Sequence, residues 1–122
     1  GTLYAAASTN NGRFPSGWFA EEVLAGGGAT MDHTVHVADL LRWVTGNEFT
    51  KVFCEKGNLL HKGIDTDDVG SVHLEMEDGL KISHVASWNR PESFPTWGDV
   101  TVEFIGSKGV MNVDAFIQKL DV

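Results

Sequence analysis

The sequence has a single cysteine, Cys54, which excludes an internal disulfide framework. Cys54 sits in an apolar, strand-like run and reads as a reduced core thiol. Cations are also scarce: nine Lys and Arg stand against seventeen Asp and Glu, a formal charge of −8. No cluster of Lys or Arg overrides that balance, so the surface repels phosphate backbones and no nucleic-acid partner is expected. No apolar run approaches the roughly 20 residues that span a bilayer, and no leader segment is visible. No membrane partner is therefore expected, and the expected location is cytoplasmic. Familiar site signatures are missing too. "GGGATM" lacks the third glycine of G-x-G-x-x-G, "GSKGV" has no Ser or Thr after its Lys, and no G-x-S-x-G occurs. Nothing in this chain is expected to bind a dinucleotide unaided.

What remains has the composition of an ordinary globular domain, 122 residues with 42% hydrophobic and 21% charged. That is long enough for a core without disulfides or structural metal. Residues 2–9 (TLYAAAST) read as a first strand. A chain that starts with Gly inside such an element is expected to be an excised piece of something longer, whose other part could carry a targeting signal. From Asn10 to Gly28, Asn-Asn-Gly, Pro-Ser-Gly and a triple glycine surround Phe14, Trp18 and Phe19. This is a long loop with one helical turn at "WFAEEVLA"; loops of this length often carry function, though the aromatics equally serve to pin it down.

Residues 29–45 form the one strong helix, stopped by Gly46 as a C-cap. After it the period changes to two. "TKVFCEKG" (50–57) and "DVGSVHLEMED" (68–78) alternate as strands, and Asp78-Gly79 is a tight hairpin signal into "LKISHVASW" (80–88). A phase change or bulge is expected near His84. "RPESFPTWG" (90–98) is a loop, "DVTVEFIGSKGVMNVDA" gives two strands around Gly106–Gly109, and 116–122 is a last strand. The expected architecture is α+β: an open, mostly antiparallel sheet with one main helix packed on one face.

The helix carries the chemistry. At about 100° per residue, Asp32, His36, Asp39 and Trp43 fall on one stripe. Apolar residues flank that stripe on both sides, the pattern of a helix covered on more than one side. A buried carboxylate–imidazole–carboxylate row is costly unless its members pair with each other or with a delivered group. Either His36 is satisfied by Asp32 or Asp39 in a structural network, or the row faces a cleft with His36 as acid or base. An ion shared by Asp and His at i, i+4 would need further ligands, and no other cluster supplies them, so no metal is expected. His33, offset from the stripe, packs, caps or joins the substrate contacts. His61, His73 and His84 read as surface or core histidines.

The glycine-rich lead-in, Asp-x-x-x-His-x-x-Asp and a Leu-Leu-Arg-Trp helix ending in Thr-Gly together resemble the C-terminal domain of the Gfo/Idh/MocA oxidoreductases. "NNGRFPSGWF" and "TVEFIGSKGVMNVD" resemble that family's flanking segments, so the likeness covers most of the chain. The resemblance implies that residues 1–122 are a single substrate-binding and oligomerisation domain, the Rossmann cofactor domain lying outside this chain. It places the catalytic Asp on Asp32 and the catalytic His on His36, with a lysine that has no counterpart here. It further implies NAD or NADP bound mainly by the other domain, a secondary alcohol of a sugar, polyol or related compound as substrate, and a homo-oligomer formed through the sheet face. Trp18, Arg13 and His33 are the candidate substrate contacts, and Asp39 buttresses His36 or caps a neighbour. The chain alone is expected to be inactive. The competing reading is a non-catalytic binding or dimerisation domain using its open sheet face.

Overall fold

The computed structural model describes residues 1–116 and, as backbone, 119–121. In chain order it has β1 (Leu3–Gly12), a 3₁₀ turn (Gly17–Ala20), α1 (Glu22–Ala25), α2 (Ala29–Thr45), β2 (Phe49–Gly57), β3 (Val69–Met76), β4 (Lys81–Ser87), β5 (Gly98–Gly106), β6 (Gly109–Asp114) and β7 (Lys119–Asp121). The strands form one sheet in the order β2-β3-β4-β1-β5-β6-β7. β1 runs parallel to β4 and antiparallel to β5, and every other neighbouring pair is antiparallel. α2 lies across β4 with β1 and β3 beside it. This is the α+β architecture expected from the sequence.

The hairpin at Asp78-Gly79 forms as the sequence implies. Gly79 adopts φ 89°, a left-handed conformation glycine takes without penalty, and Asp78 Oδ1 accepts the Leu80 N–H at 3.0 Å. Gly46 likewise caps α2 at φ 64°, its N–H donating to the Arg42 carbonyl. The core lies between α2 and one face of the sheet: Ala6, Val37, Leu41, Met76, Leu80, Ile82, Val102 and Phe104. Among the described residues, no helix is long and apolar enough to cross a membrane.

Five sequence expectations are corrected. First, β1 continues through Asn10, Asn11 and Gly12 instead of ending at Thr9, because the asparagine amides find partners inside the fold. Asn10 bonds His33 on α2, and Asn11 accepts a hydrogen bond from Ser87 Oγ at 2.7 Å. Second, no bulge occurs at His84. The register with β1 and β3 runs unbroken, Ile82, His84 and Ala86 all point inward, and the burial pattern breaks at Ser87 and Trp88 instead. Third, Cys54 is exposed. It lies on β2, an edge strand where nearly every residue is open to solvent.

Fourth, α2 is covered on one side only. Its buried residues are Ala29, His33, Val37 and Leu41, while Met31, Val35, Trp43 and Val44 are exposed. Fifth, the strand expected over 116–122 is Lys119–Asp121 where described. Phe116 lies in the preceding turn, and residues 117, 118 and 122 fall outside the described residues.

Candidate active site

The site begins with how α2 starts. The triple glycine brings the chain against Asp67, in the loop before β3. The Ala29 N–H donates to the Asp67 carbonyl at 2.8 Å, and the Gly28 N–H to Oδ1 at 3.1 Å. Thr30 donates both its N–H, at 2.9 Å, and its hydroxyl, at 2.5 Å, to Oδ2. Gly28 is required by proximity: a Cβ there would lie 2.1 Å from the Asp67 carbonyl oxygen. Gly70 serves the same packing, because a Cβ on it would strike the Thr30 side chain. Burial alone would raise the Asp67 carboxyl. The Thr30 hydrogen bonds and the Lys56 ammonium outweigh it and hold Asp67 below the usual carboxylate range. The positive end of α2 is thus already satisfied by a carboxylate of the same chain. "GGGAT" is a close-packing sequence, not a phosphate cradle.

The next loop is fixed by Asp68, whose carboxylate accepts the N–H groups of Leu59, Leu60 and His61 at 2.8–2.9 Å. His61 Nε2 in turn donates to the Trp88 carbonyl at 2.8 Å, and the Trp88 N–H donates to the Asp68 carbonyl. Trp88, which has no exposed surface, is thereby held from two directions. Its indole Nε1–H donates to Asp32 Oδ2 at 3.1 Å. Its ring meets Phe14 at 5.4 Å and Phe19, edge-on, at 5.9 Å, and Trp18 stacks on Phe19 at 3.9 Å. An unbroken run of aromatic rings therefore leads from solvent-exposed Trp18 to the Asp32 carboxylate.

Asp32 is one-third exposed and faces the open flank of α2. His36, one turn on, is exposed on the same flank, followed by exposed Asp39 and Trp43. The row inferred from spacing is therefore real but not buried. No hydrogen bond joins His36 to Asp32 or Asp39 among those found in the described residues. His33 is the buried histidine. Its Nδ1 sits 2.7 Å from Asn10 Oδ1, and its Nε2 3.4 Å from Asp32 Oδ2. Below it, His84 is buried against Ser8 Oγ at 2.7 Å, and burial pushes its imidazole down to about 4.

Two candidate substrate contacts, His33 and Arg13, meet groups of the domain itself, His33 in the packing role that its offset from the stripe allows. His33 is turned into the domain, its Nδ1 paired with Asn10 Oδ1 and its Nε2 facing Asp32 Oδ2 across 3.4 Å, because the sheet-facing side of the helix runs through position 33. Arg13 donates to the Glu92 and Phe94 carbonyls at 2.9 and 3.0 Å, tying down the 90–98 loop. Trp18 is exposed and accessible. Sequence reasoning missed Asn10, Asp67 and Trp88. Asn10 is disguised by the turn preference of Asn-Asn-Gly, and the other two act across long stretches of chain that no local period reveals.

The sequence profile described as GFO/IDH/MocA C-terminal domain matches residues 1–112. Among curated proteins, none matches the chain in sequence. Among solved structures, a Thermotoga maritima protein superposes with a TM-score of 0.88 at 19% identity, over 98% of this chain and 37% of its own. GenD2 from gentamicin A biosynthesis, solved with NAD, gives 0.81 at 29% identity, over 93% of this chain and 32% of its own. Levoglucosan dehydrogenase, solved with NADH and levoglucosan, gives 0.80 at 23%, over 93% and 33%. The chain thus spans about a third of the length of these structures. Its fold, its helix and the profile match over nearly its whole length make it a member of the Gfo/Idh/MocA oxidoreductase family, as a C-terminal domain.

Proposed function

We propose that this chain is the substrate-side, catalytic portion of an NAD(P)-dependent oxidoreductase acting on a secondary alcohol of a sugar, polyol or related compound. The observation that carries the reading is the pairing of Asp32 and His36 on consecutive turns of one open helix flank. A carboxylate and an imidazole so placed are reachable by a ligand, and Asp32 is held in place from behind by the Trp88 indole. GenD2, solved with NAD, and levoglucosan dehydrogenase, solved with NADH and levoglucosan, supply the cofactor and substrate class by analogy.

The chain's own residues do not suit the diphosphate of a dinucleotide. The α2 N-terminus, the natural anion site, is occupied by the Asp67 carboxylate. Cofactor binding is accordingly assigned to a separate Rossmann domain, with the exposed flank of α2 (Met31, Val35, Trp43) facing it. A nicotinamide cofactor held by that separate domain would supply the hydride-accepting chemistry. His36 takes the hydroxyl proton on its imidazole, and Asp32 orients the substrate hydroxyl or the imidazole and stabilises the cation formed. The Trp18–Phe19 stack, linked to Asp32 through Trp88, offers an apolar platform for the C–H face of a sugar ring. Asp39, one turn beyond His36, adds negative charge to the same flank. Arg13 and His33 are omitted from substrate contact because both are engaged within the domain.

The uncovered sheet face, with Thr9, Ser83, Val85 and Thr101 lining a shallow concavity, supports the accompanying proposal of a homo-oligomer formed through it. Measurement of kcat on a polyol and sugar panel with each cofactor tests the catalytic reading in the intact protein. His36→Ala should lower turnover by about 10²–10⁴-fold with cofactor affinity nearly unchanged. Unchanged turnover would refute the role of His36.

A further inference from the structure

His33 is built into the domain with more care than a filler of the core requires. Asn10 Nδ2 donates to the His33 carbonyl at 3.2 Å, which fixes the amide orientation and turns Oδ1 toward the ring. That oxygen, 2.7 Å from Nδ1, can only accept, so Nδ1 carries the hydrogen. Gly12 backs the ring: a Cβ there would come within 3.2 Å of Cε1. The remaining nitrogen, Nε2, is therefore bare in the neutral ring, and it faces Asp32 Oδ2 at 3.4 Å. Two lone pairs meet across that gap. A proton on Nε2 turns the same approach into a charge-assisted ion pair.

We propose that His33 is a positioning residue, a proton-dependent clamp on the Asp32 carboxylate. This rests on the catalytic reading of Asp32 and His36 above. With Nε2 protonated from solvent, Asp32 Oδ2 is gripped between the imidazolium and the Trp88 indole. With Nε2 bare, only the indole N–H holds it, and the carboxylate is freer to turn along the flank toward His36. One proton moves, from water to Nε2, and no other bond changes. Several groups face the ring from the packed elements. Burial is the strongest influence and lowers its proton affinity, Asp32 opposes this, His36 on α2 lowers it, and Asp99 on β5 raises it. His84 on β4 also faces His33, and burial keeps it neutral until about pH 4. Asp99 is itself paired with Arg90 at 2.7 Å.

The test combines ¹⁵N-histidine NMR and kinetics on the intact protein. The neutral His33 ring should be the Nδ1–H tautomer. Asp32→Asn should lower the pH at which Nε2 takes its proton by about one unit, a tenfold loss of proton affinity. His33→Leu should reduce kcat about tenfold or more while the KM for cofactor stays within about twofold. His33→Gln, whose amide can donate to Asp32 without titrating, should restore most of kcat and remove one limb of the pH profile. An Nε2–H tautomer, a midpoint that Asp32→Asn leaves in place, or an unchanged pH profile in His33→Gln would overturn the clamp. Failure of the underlying reading shows elsewhere, as unchanged turnover in His36→Ala, and leaves the His33 spectrum unaffected.

Discussion

Replacing Asp67 by Ala removes the cap of α2 from outside the helix. The side chain is nearly buried and receives three hydrogen bonds, from the Gly28 N–H, the Thr30 N–H and the Thr30 hydroxyl. Loss of a helix N-cap costs about 1–2 kcal/mol. A buried donor left without a partner adds about 1–3 kcal/mol, and the Gly28 N–H, on a buried residue, becomes one. The Lys56 pair contributes little, because the ammonium end is exposed. The expected loss is about 3 kcal/mol, or a fall in Tm on the order of 10 °C for a domain of this size. Thermal unfolding followed by far-ultraviolet circular dichroism at pH 7 measures it, and Asp67→Asn, keeping one acceptor oxygen, should fall between. The effect has a pH signature. Asp67 is held below its ordinary carboxylate range when folded, so the unfolded chain takes up the proton first as acid is added. The wild-type advantage is therefore complete above about pH 4 and shrinks as pH falls through the lower folded value. A loss below about 1 kcal/mol at pH 7 would refute the cap as the organiser of α2.

Gly28→Ala should destabilise by about 3 kcal/mol or more, because the added Cβ meets the Asp67 backbone. Gly26→Ala, at φ 79° with its nearest neighbour 3.7 Å away, should cost only about 1–2 kcal/mol, and chemical denaturation compares the two. His84 is held down to about 4 in the folded state, so the unfolded chain binds its proton first. Stability should be full above about pH 6.5 and decline by about 3 kcal/mol toward pH 4, with His84→Gln flattening that slope in denaturant titrations. Cys54, exposed on β2, should react with a thiol reagent in the native state as fast as in denaturant, within about tenfold. Protection by orders of magnitude would contradict its placement.

The elements with local signatures were legible in the sequence. α2 announces itself by its period and its Gly46 stop, and the β3–β4 hairpin by Asp78-Gly79. What local reasoning could not supply was which side of α2 meets the sheet. Apolar residues surround the helix, and only the tertiary arrangement puts Val37 and Leu41 inward while leaving Met31, Val35 and Trp43 outward. That choice decides the site. It places Asp32 and His36 on the open flank, where the spacing alone left a buried network and a cleft-facing row as alternatives, and it buries His33. The strand character of Asn10 and Asn11 was hidden for a related reason: their amides are satisfied by residues far along the chain, which override a local turn preference. The exposure of Cys54 follows from strand order, since alternation cannot tell an edge strand from a central one.

The placement of β1 has a consequence for how the domain assembles. β2, β3 and β4 form one three-stranded unit and β5, β6 and β7 another, each joined by connections local in sequence. Neither unit touches the other edge to edge; β1 is the seam between them. Its own partners lie far away along the chain, with Ser8 meeting His84 76 residues on and Thr9 meeting Thr101 92 residues on. Closing loops of that length is entropically expensive and slow, whereas hairpins close in microseconds. Pairing of β1 with β4 and β5, the long-range closure that joins the two halves of the sheet, is thus expected to follow the local hairpins in folding.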